Sequence, residues 1–351
     1  MGQEKVACNN CCLEDFYTLT AFRGNEGYDF LGKEFKVVLC KNCGLCFLNP
    51  RPNETSYSRY YAGGLGSRRR QGFGGQAKKE TKKLTKEDVL SKKHFQRLYA
   101  EWLNARWGLQ KDARIVEIGC GMGAFLYFLK ELGYENVSGI EMGKDAAEKA
   151  RTVLGIPVLI QDFFSHSFEA ESFDAVAGVA LIEHMMDPHK TIARMSGLLK
   201  TGGMLYLNTP NLLSLTFRKQ FFKFVHTYYF TLKTLTSMLG QEGFEVTHAL
   251  SVPTLASSSN LLFPENCIPG EMHIIAKKTG IKKSPIKTNY RDIIALYQKR
   301  KLQELPYIMS NKIFLNKYAE PLRKIRAKFR DRYKKNPKKE LEEFFRHVLK
   351  V

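Results

Sequence analysis

The chain has 351 residues, of which 44% are hydrophobic, and a formal net charge of +20. This length and apolar content allow a large buried core, which excludes wholesale disorder. No run approaches the roughly 18 consecutive apolar residues that a membrane-spanning helix needs. The first residues lack the charged-then-apolar pattern of a signal peptide, so we expect a cytoplasmic protein.

The positive charge is concentrated in two segments that flank a nearly neutral core. Residues 67–111 carry 13 Lys+Arg against 4 Asp+Glu, and residues 281–351 carry 21 against 7. Positive flanks attract polyanions such as nucleic acid, anionic lipid or an acidic glycan. A solvated helix surface explains each charged run equally well, so this alternative stays open.

Residues 1–61 contain six of the eight cysteines and predict a small zinc ribbon. Two Cys-x-x-Cys knuckles have the spacing that tetrahedral zinc requires, and four thiolates make the zinc structural rather than catalytic. The predicted ligands are Cys8, Cys11, Cys40 and Cys43. Cys12 and Cys46 leave the register open, and disulfides are the alternative that a reducing compartment disfavours.

Residues 62–111 are predicted to form a basic linker and a leading helix. Glycine and arginine dominate the first part of this segment, and such a composition has too few apolar side chains to form a buried core. The helix would carry one apolar face, with Phe95, Leu98, Tyr99, Trp102 and Leu103.

Residues 112–278 alternate short apolar runs with helical stretches, as βαβ units do, which predicts a Rossmann-like α/β domain with a largely parallel sheet. The predicted strands are 114–118, 137–141, 157–161, 173–179, 204–208, 244–250 and 272–277. The predicted helices are 122–132, 144–153, one that begins after Pro188, and 231–242. Residues 279–351 read as a basic helical tail broken by prolines, which we expect to dock on an anionic membrane surface or a partner complex.

A glycine-rich turn follows the first of these strands, in the segment Val116-Glu117-Ile118-Gly119-Cys120-Gly121-Met122-Gly123-Ala124. The spacing also fits the dinucleotide pattern of a dehydrogenase, with Glu141 placed to hold a ribose. Glu117 argues against that alternative, because a pyrophosphate at a helix N-terminus favours positive potential nearby. S-adenosylmethionine carries no phosphate, and its positive groups tolerate an acid there.

Six segments in order resemble the class I S-adenosylmethionine-dependent methyltransferases, especially the ubiquinone and sugar methyltransferases. They are VEIGCGMGAFL (116–126), GIEMGKDAAEKA (139–150), Gln161-Asp162, FDAVAGVALIEHMMDP (173–188), LLKTGGMLYLNTPN (198–211) and HTYYFTLKTLTSMLGQEGFEV (226–246). The resemblance also covers the N-terminal ribbon, with Phe47-Leu48-Asn49-Pro50 and the pair Tyr60-Tyr61. It implies a mixed, mostly parallel seven-stranded sheet.

The resemblance also implies roles for individual residues in binding S-adenosylmethionine. Gly119, Gly121 and Gly123 would pass under the methionine part, with Glu117 near its amino group. Glu141 would accept both ribose hydroxyls. The residues implied around the adenine and at the end of the fourth strand are Met142, Asp162, Phe163, Val179 and Ala180.

Methyl transfer is an in-line displacement that needs alignment and, for a hydroxyl acceptor, a general base. The candidates are His184 in Ile182-Glu183-His184 and His226 in His226-Thr227-Tyr228, although a lone histidine is more often structural. The resemblance points to a sugar, a glycan or a lipid-linked precursor as the acceptor.

Two other functions remain open. The basic flanks and the ribbon favour an RNA methyltransferase, but the chain shows no Asn-Pro-Pro-Tyr-like motif and no RNA-binding module, so nucleic acid is the less favoured partner. A binding protein that retained the fold and lost the reaction is the third possibility. The intact glycine loop and Glu141 argue against it.

Overall fold

The computed structural model describes residues 2–24, 29–62, 84–90, 94–165, 168–214, 222–251 and 270–298. Most of the predicted glycine-rich linker and the basic residues beyond 298 lie outside these ranges, so the docking of that tail stays a prediction. In the part of the chain that is described, no helix is long and apolar enough to cross a membrane.

The strands are β1 (Gln3–Glu4), β2 (Phe16–Arg23), β3 (Glu34–Cys40), β4 (Cys46–Leu48), β5 (Arg51–Pro52), β6 (Arg114–Ile118), β7 (Asn136–Glu141), β8 (Val158–Ile160), β9 (Phe173–Val179), β10 (Leu199–Pro210), β11 (Tyr228–Tyr229), β12 (Phe244–Ser251) and β13 (Glu271–Lys278). The helices are α1 (Glu54–Ala62), α2 (Lys86–Leu90), α3 (His94–Asn104), α4 (Ala124–Glu131), α5 (Lys144–Leu154), α6 (Pro188–Leu198) and α7 (Leu232–Gln241). Short 3₁₀ turns span Asp29–Leu31, Ile182–His184 and Leu212–Ser214.

Seven strands form one sheet in the order β12-β13-β10-β9-β6-β7-β8. The pairs from β10 to β8 are parallel, and β13 runs antiparallel to both of its neighbours. The structure therefore confirms the predicted mixed, mostly parallel sheet. The strand order reverses between β6 and β9, and ligands of open α/β sheets bind at the carboxyl ends of the strands beside such a reversal.

Helices cover both faces of this sheet, so its central strands are buried almost completely. Side chains of α3, α4 and α5 share one apolar core, and side chains of α6 and α7 share another with the ribbon. Helix α4 begins at Ala124 and not at the predicted Met122. Gly123, which precedes it, has a φ of 75° that is incompatible with a right-handed helix.

The ribbon is completed by a strand from a distant part of the chain. Its antiparallel sheet has the order β11-β4-β3-β2. Tyr228 pairs with Phe47, Tyr229 pairs with Cys46, and the Leu48 N–H donates to the Thr227 carbonyl at 2.9 Å. The N-terminal ribbon and the segment before α7 therefore share one sheet.

The start of the predicted tail packs on the rest of the protein. Residues 279–289 are not helical, in contrast to the predicted helical tail, and residues 290–298 form a helix. The Ile286 N–H donates to Ser237 Oγ on α7 at 2.9 Å. Ile293 and Tyr297 are buried in a core that they share with ribbon strands β3 and β4.

Candidate active site

The glycine loop between β6 and α4 has a backbone that only glycine adopts readily. Gly119, Gly121 and Gly123 have φ values of 70°, 54° and 75°, where an L side chain costs about 1–2 kcal/mol. The Gly119 N–H donates to the Ile140 carbonyl at 2.8 Å, which ties the loop to β7. No atom lies within 4 Å of the position that a Cβ on Gly121 would occupy, so the loop is open to a ligand on this side.

Glu141 ends β7 beside this loop and is half-buried. Its two carboxylate oxygens accept hydrogen bonds from the backbone N–H groups of Gly121 at 2.8 Å and Gly143 at 2.7 Å. These bonds hold the carboxylate in one orientation, and each oxygen keeps a lone pair for a further donor. The arrangement fits the predicted ribose site, and it joins the loops after β6 and β7.

Glu117 and Met142 flank the same loops in opposite environments. Glu117, near the end of β6, is only 1% exposed. Burial and then the charges of Glu117 and Glu141 raise the pKa of the Cys120 thiol, so Cys120 stays an uncharged apolar residue. Met142 is 45% exposed and accessible to a planar ligand.

Asp162 and Phe163 follow β8 at the same edge of the sheet. Asp162 is exposed, and its Oδ1 accepts from the N–H groups of Phe164 at 2.6 Å and Ser165 at 3.2 Å. Phe163 is buried, with the Arg194 guanidinium 5.1 Å from its ring centroid. The turn thus fixes the carboxylate that the resemblance assigns to the adenine.

Val179 and Ala180 stand where β9 ends. Val179 is half-buried and Ala180 is exposed with a φ of 48°, an unusual conformation for a residue with a Cβ. The Ala180 N–H donates to the Asn208 carbonyl at 2.9 Å, which fixes this turn against β10. All ten residues predicted to bind the cofactor therefore lie at or just beyond the carboxyl ends of β6, β7, β8 and β9.

The two predicted base candidates are neighbours in space. The His184 and His226 rings are 4.7 Å apart between centroids and nearly perpendicular. Glu183, His184 and His226 each bring one side-chain N or O atom into a group whose members lie within 4.8 Å of one another. The turn after β9 and the segment before β11 supply these residues.

The hydrogen bonds of His184 define its tautomer. Its Nδ1 is 2.9 Å from the Val225 carbonyl, which can only accept, so Nδ1 carries the proton. Nε2 then has a free lone pair and lies 3.8 Å from Glu183 Oε1. Burial lowers the pKa of His184 to about 4, so the ring is neutral at pH 7. A neutral imidazole with a bare nitrogen can accept a proton.

Glu183 is a buried carboxyl group, 2% exposed. Burial raises its pKa to about 7, which leaves it partly protonated at neutral pH. Thr209 Oγ1, near the end of β10, donates to Glu183 Oε2 at 2.8 Å and opposes that rise.

Tyr61 connects the N-terminal segment to His184, a contact that sequence reasoning missed. Its hydroxyl is 3.1 Å from His184 Nδ1. Burial raises its pKa, and the charges of Glu183 and Glu141 add to the rise. The pair Tyr60-Tyr61 was the only sequence signal for this position.

The four predicted zinc ligands come together as two close pairs. The sulfur–sulfur distances are 3.5 Å for Cys8–Cys43 and 3.4 Å for Cys11–Cys40. A tetrahedron with zinc–sulfur bonds of about 2.3 Å has edges of about 3.8 Å, whereas a disulfide needs about 2.05 Å. The sulfur positions therefore fit zinc and exclude disulfides between these pairs.

The surroundings of the knuckles also favour a cation. Hydrogen bonds with neighbouring thiols, and then burial, raise the pKa of Cys8 and Cys43, whereas hydrogen bonds with Cys43 and Cys8 lower the pKa of Cys40. Thiolates packed this closely repel one another, so all four can ionise together only with a positive ion between them. Cys12 is exposed and Cys46 is buried in β4, and neither belongs to the cluster. Among the described residues, the four cysteines of the predicted register are thus the ones that come together.

A family model described as "Methyltransferase domain" matches residues 91–249. Ubiquinone biosynthesis O-methyltransferase of Colwellia psychrerythraea is 31% identical over 120 residues, 32% of this chain and 48% of that protein. The enzyme of the same name from Xanthomonas oryzae is 35% identical over 118 residues, again 32% and 48%. The chain thus spans about half the length of the curated relatives it matches.

Solved structures give similarities of lower identity. A Thermotoga maritima methyltransferase described as a possible histamine N-methyltransferase is 24% identical, with a TM-score of 0.42, over 55% of this chain and 97% of that one. A complex between the Haloferax volcanii Trm112 methyltransferase activator and a methyltransferase matches at 16% identity and a TM-score of 0.45, over 55% and 93%.

The sheet order, the glycine loop anchored to Glu141 and the family model agree on one assignment. Residues 91–249 therefore form a methyltransferase domain with the Rossmann-like fold of the class I S-adenosylmethionine-dependent enzymes.

Proposed function

We propose that the protein transfers a methyl group from S-adenosylmethionine to a hydroxyl group of an acceptor. One observation carries the proposal: Glu141, anchored by Gly121 and Gly143, shares a sheet edge with the cluster of Glu183, His184 and His226. Glu141 can accept hydrogen bonds from ribose hydroxyls, and the cluster can accept a proton from the acceptor hydroxyl.

The cofactor would be held by the residues that the resemblance predicted. They are Glu117, Gly119, Gly121, Gly123, Glu141, Met142, Asp162, Phe163, Val179 and Ala180. S-adenosylmethionine supplies an activated methyl carbon, so the chain's own task is alignment and exclusion of water. Holding the acceptor oxygen about 3–3.5 Å from that carbon can lower the barrier by roughly 7–11 kcal/mol.

His184 is the proposed general base, with His226 beside it. The acceptor O–H would donate to His184 Nε2 and pass its proton there as the oxygen–methyl bond forms and the bond from the sulfonium sulfur to the same carbon breaks. Nδ1–H stays bonded to the Val225 carbonyl, which keeps Nε2 in place. Ionised Glu183, 3.8 Å from Nε2, would stabilise the imidazolium that results.

The acceptor is proposed at the level of a chemical class. The names of the relatives support oxygen as the methylated atom and a quinone precursor as a substrate of those proteins. The resemblance supports a sugar, glycan or lipid-linked precursor. Transfer of labelled methyl groups to phenolic quinone precursors, nucleotide sugars and lipid-linked sugars, assayed in parallel, separates these acceptors.

We also propose that the ribbon binds one structural zinc ion through Cys8, Cys11, Cys40 and Cys43. Four thiolates would fill the coordination shell, so this ion takes no part in methyl transfer. Its expected contribution is to fix the two knuckles, and metal analysis of the purified protein should find one zinc per chain.

The first experiment is calorimetric titration with S-adenosylmethionine and its demethylated product. The wild type should bind both, and Glu141→Ala should lose at least tenfold in affinity because the ribose loses its acceptor. Glu148→Ala is the matched control, since Glu148 is an exposed glutamate on α5. Absence of binding by the folded, zinc-loaded wild type would overturn the proposed function.

A further inference from the structure

The segment that carries the proposed base is tied to the zinc ribbon. We call residues 183–187 the acceptor loop. The Thr227 hydroxyl, next to ribbon strand β11, is 2.7 Å from the Met185 carbonyl and 3.2 Å from the Glu183 carbonyl. The Arg51 guanidinium, 13% exposed, donates to the Met186 carbonyl at 2.5 Å. The N-terminal ribbon segment and the residue before β11 thus supply hydrogen-bond donors to backbone carbonyls of the acceptor loop.

The first knuckle holds the end of the same loop. Asn9 lies between Cys8 and Cys11, and its Nδ2 donates to Asp187 Oδ1 at 3.0 Å. Asn9 Oδ1 accepts from the His189 N–H at 3.3 Å. Asp187 Oδ1 also caps α6 by accepting from the Lys190 N–H. One side chain of the knuckle therefore contacts both the last residue of the acceptor loop and the first turn of α6.

The neighbouring Asn10 contacts α6 as well and also connects the knuckle to α7. Its Oδ1 accepts from Gln241 Nε2 at 2.8 Å and lies 3.0 Å from His189 Nε2. His189 Nδ1 is in turn 2.9 Å from Glu242 Oε1, just after α7. Asn10 is 7% exposed, so these contacts form in a largely dry interface where a polar bond contributes more.

Both amide side chains lie within the first knuckle. Asn9 and Asn10 are flanked by Cys8 and Cys11, whose sulfurs belong to the four-cysteine cluster. The glycine loop is held differently, by Ile140 and Glu141 of β7. A substitution in the first knuckle should therefore displace the acceptor loop and leave the glycine loop in place.

We propose that Asn9 is a positioning residue through which the zinc knuckle fixes the acceptor loop, and with it the turn that carries Glu183 and His184. The ribbon then controls the geometry of the proposed base and has no direct effect on cofactor binding. This inference rests on the proposed function, in which His184 is the base.

The test uses three variants of the full, zinc-loaded chain. Asn9→Asp replaces the donor to Asp187 with a carboxylate, so two like charges oppose each other. Asn9→Asp combined with Asp187→Asn restores a donor–acceptor pair, and asparagine caps a helix as well as aspartate does. Asn42→Asp is the control, because exposed Asn42 lies in the second knuckle and receives the same charge change beside the metal ligands.

Hydrogen exchange of the acceptor-loop amides is the main measurement, with zinc content and binding of the demethylated cofactor product measured alongside. We expect Asn9→Asp to speed exchange at residues 183–187 about tenfold, as loss of one charge-assisted bond would. The double variant should return exchange close to the wild-type rate, and Asn42→Asp should leave it unchanged. All variants should retain one zinc and bind the cofactor product as the wild type does.

Three outcomes would overturn the inference: unchanged exchange in Asn9→Asp, no recovery in the double variant, or an equal effect of Asn42→Asp. Loss of cofactor-product binding in Asn9→Asp alone would also overturn it, because the effect would not be confined to the acceptor side. Failure of the proposed function would give a different result from failure of this inference. The wild type itself would then not bind the cofactor product, while hydrogen exchange of the acceptor loop could still be measured.

Discussion

Glu141 and Glu183 are carboxylates at the same edge of the sheet, and their surroundings differ. Glu141 is half-buried and accepts two backbone N–H bonds, which orient it. Glu183 is buried, and one threonine hydroxyl bonds to it. Environments that differ in this way can give chemically identical groups separate tasks, and the tasks proposed here are ligand binding for Glu141 and stabilisation of a charge for Glu183.

The raised pKa of Glu183 predicts a dependence of stability on pH. Its folded pKa of about 7 exceeds the unfolded value of about 4.3, so its contribution is fully present below pH 4.3 and is lost as the pH rises through 7. Glu183→Gln keeps an oxygen for Thr209 and cannot ionise. Between pH 5 and pH 8, the difference in free energy of unfolding between the variant and the wild type should shift by about 2.5 kcal/mol in favour of the variant. Urea denaturation at both values measures this, and a constant difference would contradict it.

Gly139 in β7 shows how tightly the glycine loop packs. A Cβ there would lie 2.3 Å from Cys120 Sγ and 2.9 Å from Cys120 Cβ. Gly139→Ala should therefore cost about 1–3 kcal/mol of stability and weaken cofactor binding by displacing the loop. Adding Cys120→Ala should recover part of the loss, because the sulfur is removed and the Cβ contact remains.

A glycine in open space is the control for that pair. Gly197 lies within α6, and no atom is within 4 Å of its Cβ position. Gly197→Ala should be neutral or stabilising by up to about 1 kcal/mol in the same urea denaturation. An equal loss at Gly139 and Gly197 would show that backbone freedom, rather than the contact with Cys120, determines the cost.

At the scale of elements, helix α7 begins with a reciprocal cap. Thr231 Oγ1 accepts from the Thr234 N–H at 3.1 Å, and Thr234 Oγ1 accepts from the Thr231 N–H at 2.9 Å. Each substitution to alanine should cost about 1 kcal/mol. The double variant should lose less stability than the sum of the two single losses, because the two hydroxyls also bond to each other. A double-mutant cycle in urea checks this, and strict additivity would show that the caps act separately.

Elements with a strong local pattern were predicted well from the sequence. Strand β9 matches its predicted range of 173–179, and β6 matches 114–118, since both are buried apolar runs. Helix α6 was predicted to begin after Pro188, where Asp187 supplies the cap and proline suits the first turn. The residues predicted to bind the cofactor lie together at one sheet edge, because the order of elements fixes where strand ends meet. Their role in binding stays a prediction.

Features that depend on distant contacts could not be predicted. Strand β11 has two residues, too few for any periodic pattern, and its partner β4 is far away in the chain. The tautomer of His184 depends on a backbone carbonyl at Val225 that no side-chain pattern reveals. The roles of Asn9 and Tyr61 likewise follow from contacts across the interface between ribbon and domain.

At the scale of the whole molecule, the ribbon and the methyltransferase domain share buried cores. Phe35 and Leu48 of the ribbon lie in one apolar cluster with Phe224, Val225 and Ile293. The other shared cluster contains Cys8 and Cys40 together with residues of α6 and α7. A zinc ion in the knuckles would therefore stabilise more than the ribbon.

This shared packing predicts one cooperative unfolding transition. In urea, far-ultraviolet circular dichroism of the sheet and the thiolate–metal absorption of cobalt-substituted protein should change at the same denaturant concentration. Removing the metal with a chelator should lower that concentration for the circular dichroism signal as well. A separate, earlier loss of the metal absorption would show that the ribbon unfolds on its own.

The strand that completes the ribbon has a consequence for synthesis of the chain. Phe47 cannot pair with Tyr228 until the ribosome has released both. At roughly 5–20 residues per second, the nascent ribbon waits on the order of ten seconds or more with the edge of β4 open. Such an edge can pair with another chain. Early metal binding by the knuckles, or a chaperone bound at that edge, would protect the newly synthesised chain from aggregation during this interval.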